Sequence, residues 1–99
     1  MNSKPKNAHR FYDLNNFVDV SMRDLTRVEI AVWLSLFRSA RERTVRLSRE
    51  QIAATSGCSV KATGKAIQSL IAKKLIRQVV KGSLNRGPSS YRIRGSSEQ

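Results

Sequence analysis

A mainly α-helical domain carrying a small β-sheet is the fold class this sequence predicts, on three observations. The chain has 99 residues, 39% of them hydrophobic, which suits one modest core rather than two. Two segments carry the Ser/Thr-x-x-Glu/Gln signature of a helix start, and a serine heads a third. Short runs between and after them alternate apolar and polar residues, the period of a half-buried strand.

Residues 1–16 are expected to form a flexible N-terminal arm, since the first ten are polar and include Pro5. A single domain then covers 17–94, and "GSSEQ" (95–99) is expected to be a disordered tail. In "LTRVEI" (25–30), Thr26 can cap a helix while Glu29 reaches back to the cap's own N–H, with Leu25 and Ile30 as a hydrophobic staple. The helix runs to about Ala40. Ile30, Trp33, Leu34 and Phe37 form one apolar stripe, and Val28, Val32 and Leu36 lie opposite, so more than one face needs cover. The preceding "FVDV" (17–20) folding back is one candidate cover. A partner subunit is the other, giving a homodimer through this helix and the N-terminal segment.

"TVRLS" (44–48) alternates Val45 and Leu47 inward with Arg46 outward and reads as a short strand. In "SREQIAATS", Ser48 and Gln51 form a second capping box, and Gly57 ends the helix in a left-handed conformation. Ser59 caps a third helix from about Val60 to Lys74. "LIRQVVK" (75–81) and "SSYRIR" (89–94) read as antiparallel strands joined by "GSLNRGP" (82–88). The result is a three-helix core, a two-stranded C-terminal hairpin, and a short strand between the first two helices.

On a helical wheel, Val60, Thr63, Ile67, Leu70 and Ile71 share a sector of roughly 100°, the buried stripe of a half-exposed helix. Lys61, Lys65, Gln68 and Ala72 occupy the opposite sector. The outward stripe therefore presents two lysines and a glutamine, starting where unpaired N–H groups and the positive dipole end attract phosphate. Lys reaches guanine acceptors in a major groove, and Gln pairs with adenine. Lys73 and Lys74 sit at the C-terminal end, where cations complement the dipole; they read as structural or phosphate-facing.

Charge agrees with this placement. Nineteen Lys and Arg against seven Asp and Glu give a net charge of +12, and from Gln51 to Ser97 there are nine basic residues and no acidic one. A one-signed field favours nucleic acid ahead of an anionic membrane. The basic residues are spread over helix, strand and loop rather than along one amphipathic helix, so a membrane partner is not expected. The five arginines of "RSARERTVRLSR" (38–49) have two readings. They contact flanking phosphate, particularly through Arg46 and Arg49, or they form a solvated face with Glu42 and Glu50 as local partners.

Other classes are disfavoured. A single cysteine allows no internal disulfide, and the apolar run "IAVWLSLF" (30–37) is too short for a bilayer. "MNSKPKNAHR" has no apolar stretch behind its charges, so no signal peptide is expected and a cytoplasmic location follows. His9 lies in the arm and Cys58 in an apolar slot, which leaves no catalytic relay, no metal site and no cofactor site, and an enzyme is not expected.

"QIAATSGCSVKATGKAIQSL" resembles a helix-turn-helix: Ala53 packs close, Gly57 makes the turn, and Cys58 fills the small slot after it. Its continuation, "AIQSLIAKKLIRQVV" with "NRGPSSYRIR", resembles the winged-helix version, and the likeness spans 24–94. It is similar to the DNA-binding domains of small bacterial and mobile-element regulators and of plasmid or phage replication initiators. The resemblance implies double-stranded DNA as partner, with the third helix in the major groove and the wing on the backbone or minor groove. The expected DNA-binding residues are Ser48 and Ser59 at helix starts, Lys61, Ala62, Lys65 and Gln68 on the third helix, and Lys81, Asn85 and Arg86 in the wing. A sequence-specific transcriptional regulator is the leading reading. A replication or recombination accessory is the runner-up, and a winged-helix protein-interaction module the third. Two positions depart from the pattern. Thr63 stands where Val or Ile is usual, and Gly64 interrupts the helix, either for close approach of DNA or as a tolerated change.

Overall fold

The computed structural model describes residues 8–82 and 87–94. Its helices are α1 (Ala8–Asn16), α2 (Arg27–Ser39), α3 (Arg49–Ser56) and α4 (Val60–Ala72), and its strands β1 (Thr44–Leu47), β2 (Ile76–Val80) and β3 (Ser89–Ile93). A wide helical turn at Phe17–Ser21 and a tight one at Met22–Asp24 lead from α1 into α2. The strands form one antiparallel sheet in the order β1-β3-β2. The class is thus mainly helical with a small sheet, as the capping signals and alternating runs predict.

The helix starts follow their local chemistry. Thr26 Oγ1 accepts the Glu29 N–H at 3.1 Å, and Glu29 Oε1 accepts the Thr26 N–H at 2.9 Å. Ser48 and Gln51 repeat the exchange at 3.0 and 2.8 Å. Gly57 ends α3 at φ +75°, and the Gly57 and Cys58 N–H groups both reach the Ala53 carbonyl. Such caps contribute about 1 kcal/mol each.

Val32 and Leu36 of α2, Ile52 of α3, and Ile67 and Leu70 of α4 form the centre of the core. Val45, Ile76, Tyr91 and Ile93 close it from the sheet. Full burial of such side chains stabilises by about 1.5–3 kcal/mol apiece. Thr63 is buried among them, and among the described residues its hydroxyl has no hydrogen-bond partner. The departure from Val or Ile therefore carries a desolvation penalty. Thr63→Val removes it at nearly constant shape and is expected to stabilise the domain by about 1 kcal/mol, read as a higher urea midpoint with an unchanged slope.

Three sequence expectations need correction. Leu34, assigned to the apolar stripe, is 41% exposed, whereas Val32 and Leu36 on the opposite side are fully buried. The heaviest packing on α2 comes from α3 and α4, which turns that side inward. Val60, placed in the buried stripe of the third helix, is 42% exposed, because it is the first residue of α4 and projects beyond the core. The third correction concerns the arm: residues 8–16 form a helix rather than a flexible segment.

That helix is held by partners far along the chain. The Arg10 guanidinium lies 4.3 Å from the Phe37 ring centroid and donates to the carbonyls of Phe37 and Ala40 at 3.1 and 3.0 Å. It thereby caps the negative end of α2. Phe17 stacks on Trp33 at 3.8 Å, and Trp33 on Phe37 at 4.9 Å. The fold-back of 17–20 over α2 is therefore made by Phe17, while Val18 and Val20 remain exposed.

Glu29 does more than cap. It is buried, and Lys73 Nζ, at the end of α4, approaches its Oε1 at 3.1 Å, so one carboxylate clamps the start of α2 to the end of α4. Of the two readings open for Lys73, this ion pair supplies a structural role, through a carboxylate on another helix rather than through the dipole of α4. Lys74 follows at φ +64° and stops the helix. Burial of the Glu29 carboxyl disfavours its charge. Hydrogen bonds from Ser69, the Thr26 N–H and Lys73, with the Lys73 charge, outweigh burial and hold its pKa below the ordinary value. A carboxylate lowered in the folded state contributes stability above its unfolded pKa, about 4.3 for Glu, and loses it as pH falls through the folded value. Urea midpoints are expected to hold down to about pH 5 and fall below it. Glu29→Gln is expected to lower the neutral-pH midpoint and flatten that acid limb.

Candidate nucleic-acid interface

The turn between α3 and α4 aims the start of α4 out of the domain. Ser59 Oγ accepts the Ala62 N–H at 3.0 Å, which leaves the serine's own O–H as a donor. Behind the cap, Lys61, Lys65 and Gln68 are exposed along one side of α4, as the wheel predicts, while Ala62 is half-buried. These three polar side chains line a shallow groove together with Arg49 and Gly64. Among the described residues no carboxylate pairs with Lys61, Lys65 or Arg49.

Arg49 enters this groove from α3. It is the first residue after the Ser48 cap, and its side chain crosses to α4. A Cβ built on Gly64 would lie 3.3 Å from Arg49 Cζ, Nε and Nη1 alike. Equal distances to three atoms of a planar group put the glycine against the flat face of the guanidinium. The interruption of the helix is thus explained by an internal neighbour: the space above Gly64 is occupied by Arg49, not left open for DNA backbone. The sequence offered Arg49 only as a flanking phosphate contact or a solvated residue. Its pairing with Gly64 spans fifteen positions and a turn, so no helical period reports it. The usable signal was the coincidence of a mid-helix glycine with an arginine at the first position of the preceding helix.

Ser48 lies in a second groove, between the helix starts and the loop end of the β2–β3 hairpin, with Arg49, Glu50, Val60, Gly87 and Pro88 among its lining. Arg49 lines both grooves and so links them. At the loop end of the hairpin the backbone of Gly87 turns at φ +79°, and Arg46 Nη2 lies 3.1 Å from where a Cβ would stand. A second arginine thus lies against a second glycine, carried there by β1, whose Arg46 is opposite Ser90 of β3. Arg46 and Arg49 are the two arginines singled out for phosphate contact, while neither Glu42 nor Glu50 forms an ion pair among the described residues.

Lys81 is exposed just beyond β2 and belongs to neither groove. Asn85 and Arg86 lie outside the described residues. Tyr91 and Ile93 of β3 point inward, and Arg92 and Arg94 are half-buried. Among the described residues no group of three His, Cys, Asp or Glu is placed to hold a metal, and no helix is long and apolar enough to cross a membrane.

The groove on α4 is lined by three cations and one amide, with no carboxylate among the described residues that line it. Lys61 and Lys65, four residues apart, repel by a few tenths of a kcal/mol on an isolated helix, and Arg49 adds a third cation. An arrangement of this kind gains most from an anion laid across it. No protein-family model, curated protein or solved structure matches this chain.

Proposed function

We propose that this protein binds double-stranded DNA as a winged helix and acts as a sequence-specific transcriptional regulator. α4 enters the major groove, and the β2–β3 connection lies on the backbone or in the minor groove. The observation that carries the reading is the cationic groove around Gly64, where Arg49, Lys61 and Lys65 converge beside Gln68 without a carboxylate partner among the described residues. Supporting it, α2, α3 and α4 form the helical core, β1 lies between the first two of them, and β2 and β3 make the C-terminal hairpin. This is the arrangement that the winged-helix resemblance implies.

A helix of thirteen residues is about 20 Å long, and the major groove admits one. In this pose Lys61 and Lys65 approach phosphates or guanine edges, Gln68 an adenine, and the hydroxyls of Ser48 and Ser59 donate to phosphate at the two helix starts. Lys81 meets the backbone from the hairpin. If about five phosphates are neutralised, log K against log salt falls with a slope near −4.5. The test is titration of a labelled duplex over a range of salt, followed by selection from a random duplex pool. A flat salt dependence would refute DNA binding, and a pool that converges on no motif would refute the specific-regulator part.

A further inference from the structure

We infer that Arg49, seated on Gly64, reads a guanine in the bound DNA, so that α3 as well as α4 takes part in base recognition. The inference rests on the DNA-binding reading above and adds a specificity-determining residue to it. The flat face of the guanidinium lies against the glycine. Its N–H donors radiate in the guanidinium plane, so stacking on Gly64 leaves the fork's edge available. A fork of this shape matches the paired acceptors O6 and N7 on the major-groove edge of guanine.

Arg49 lines the same groove as Lys61, Lys65 and Gln68, the side chains that face the base edges in this pose. Its seat also limits the freedom the side chain loses on binding, and that loss is a principal cost of using a long, flexible residue. Gly64 gains a reason to be there. A glycine in mid-helix is disfavoured by propensity, and any Cβ at this position presses on the guanidinium. The contact is with the far end of a flexible side chain, so Gly64→Ala is expected to move Arg49 aside rather than unfold the helix.

The test compares wild type, Arg49→Gln, Gly64→Ala and the double variant by selection from a random duplex pool. Each is then titrated against the selected site and against that site with each guanine replaced in turn. Wild type is expected to require one guanine. Each single variant should bind the selected site about tenfold or more weakly and become indifferent to that guanine. The double variant should be no worse than the weaker single, because both remove the same contact. Gly64→Ala should also melt about 4 °C higher, which separates loss of recognition from loss of fold. An equal loss across all sequences for Arg49→Gln would make the residue a phosphate contact and overturn the inference. So would a Gly64→Ala protein that selects the wild-type motif. Wild type that binds no duplex in dilute salt would remove the DNA-binding reading itself, and this inference with it.

Discussion

Arg43→Ala is expected to destabilise the domain by about 3–5 kcal/mol, the typical penalty for removing one member of a buried ion pair. Arg43 donates from Nε and Nη2 to the two carboxylate oxygens of Asp13 at 2.8 and 3.1 Å. The side chain of Asp13 is 1% exposed and that of Arg43 19%, so the two halves of the pair are not equivalent. Losing the arginine removes two charge-assisted hydrogen bonds from a carboxylate that is itself almost fully buried. Losing the carboxylate leaves a cation that reaches solvent by a small rotation, so Asp13→Ala should cost less than Arg43→Ala. The double alanine variant should cost less than the sum of the singles.

The backbone does not confound this comparison. Glu42 and Arg43 occupy the left-handed region at φ 51° and 67°, where non-glycine residues cost of order 1 kcal/mol each. They are held there by paired Arg41–Thr44 backbone hydrogen bonds and by the Ile93 N–H, which donates to the Arg43 carbonyl at 2.7 Å. Alanine keeps its Cβ at position 43, so the strain is common to both proteins and the difference reports the pair. Against a typical total of about 5–15 kcal/mol, the loss should lower the melting temperature by about 12 °C or more. A drop under about 4 °C would mean that α1 is held chiefly by Arg10 and Phe17.

Lys61→Glu combined with Lys65→Glu is expected to abolish duplex binding at physiological salt while leaving the fold intact. Both side chains are exposed on α4 and neither has a carboxylate partner among the described residues, so reversing them breaks no internal contact. If each lysine neutralises one phosphate, removing both reduces the salt slope by about 1.8 and the affinity by about tenfold per contact at 0.1 M salt. Reversal adds repulsion to that loss. Circular dichroism and the urea midpoint should match wild type, because the double reversal replaces one like-charge pair four residues apart with another. A variant that keeps its slope and affinity would show that α4 is not the DNA-facing element. If its remaining interactions were all with proteins, the interaction-module reading would replace the regulator.

The parts of this molecule that were readable in advance share a short range. Thr26 with Glu29, Ser48 with Gln51, Ser59, and Gly57 act within four residues of chain, so the helix starts and the turn glycine could be read from spacing alone. The outward placement of Lys61, Lys65 and Gln68 follows from the helical period once that helix is granted. What could not be read depends on where elements come to rest. Nothing within 8–16 announces a helix, because Arg10 and Asp13 find their partners about thirty positions later, at Phe37, Ala40 and Arg43. "RERT" gives no turn signal either. Its two left-handed residues are neither Gly nor Asn, and the turn is held by the sheet and by Asp13.

The helical class, the small sheet, the cationic stripe and the excess of basic residues around it were legible from residue order, since capping, periodicity and net charge are local or additive properties. That Arg49 lies flat on Gly64, that Phe17 covers Trp33, and that Glu29 ties α2 to α4 emerged only from the folded chain. Each of these depends on two surfaces meeting in space, and the distance between residues along a chain carries no information about such a meeting.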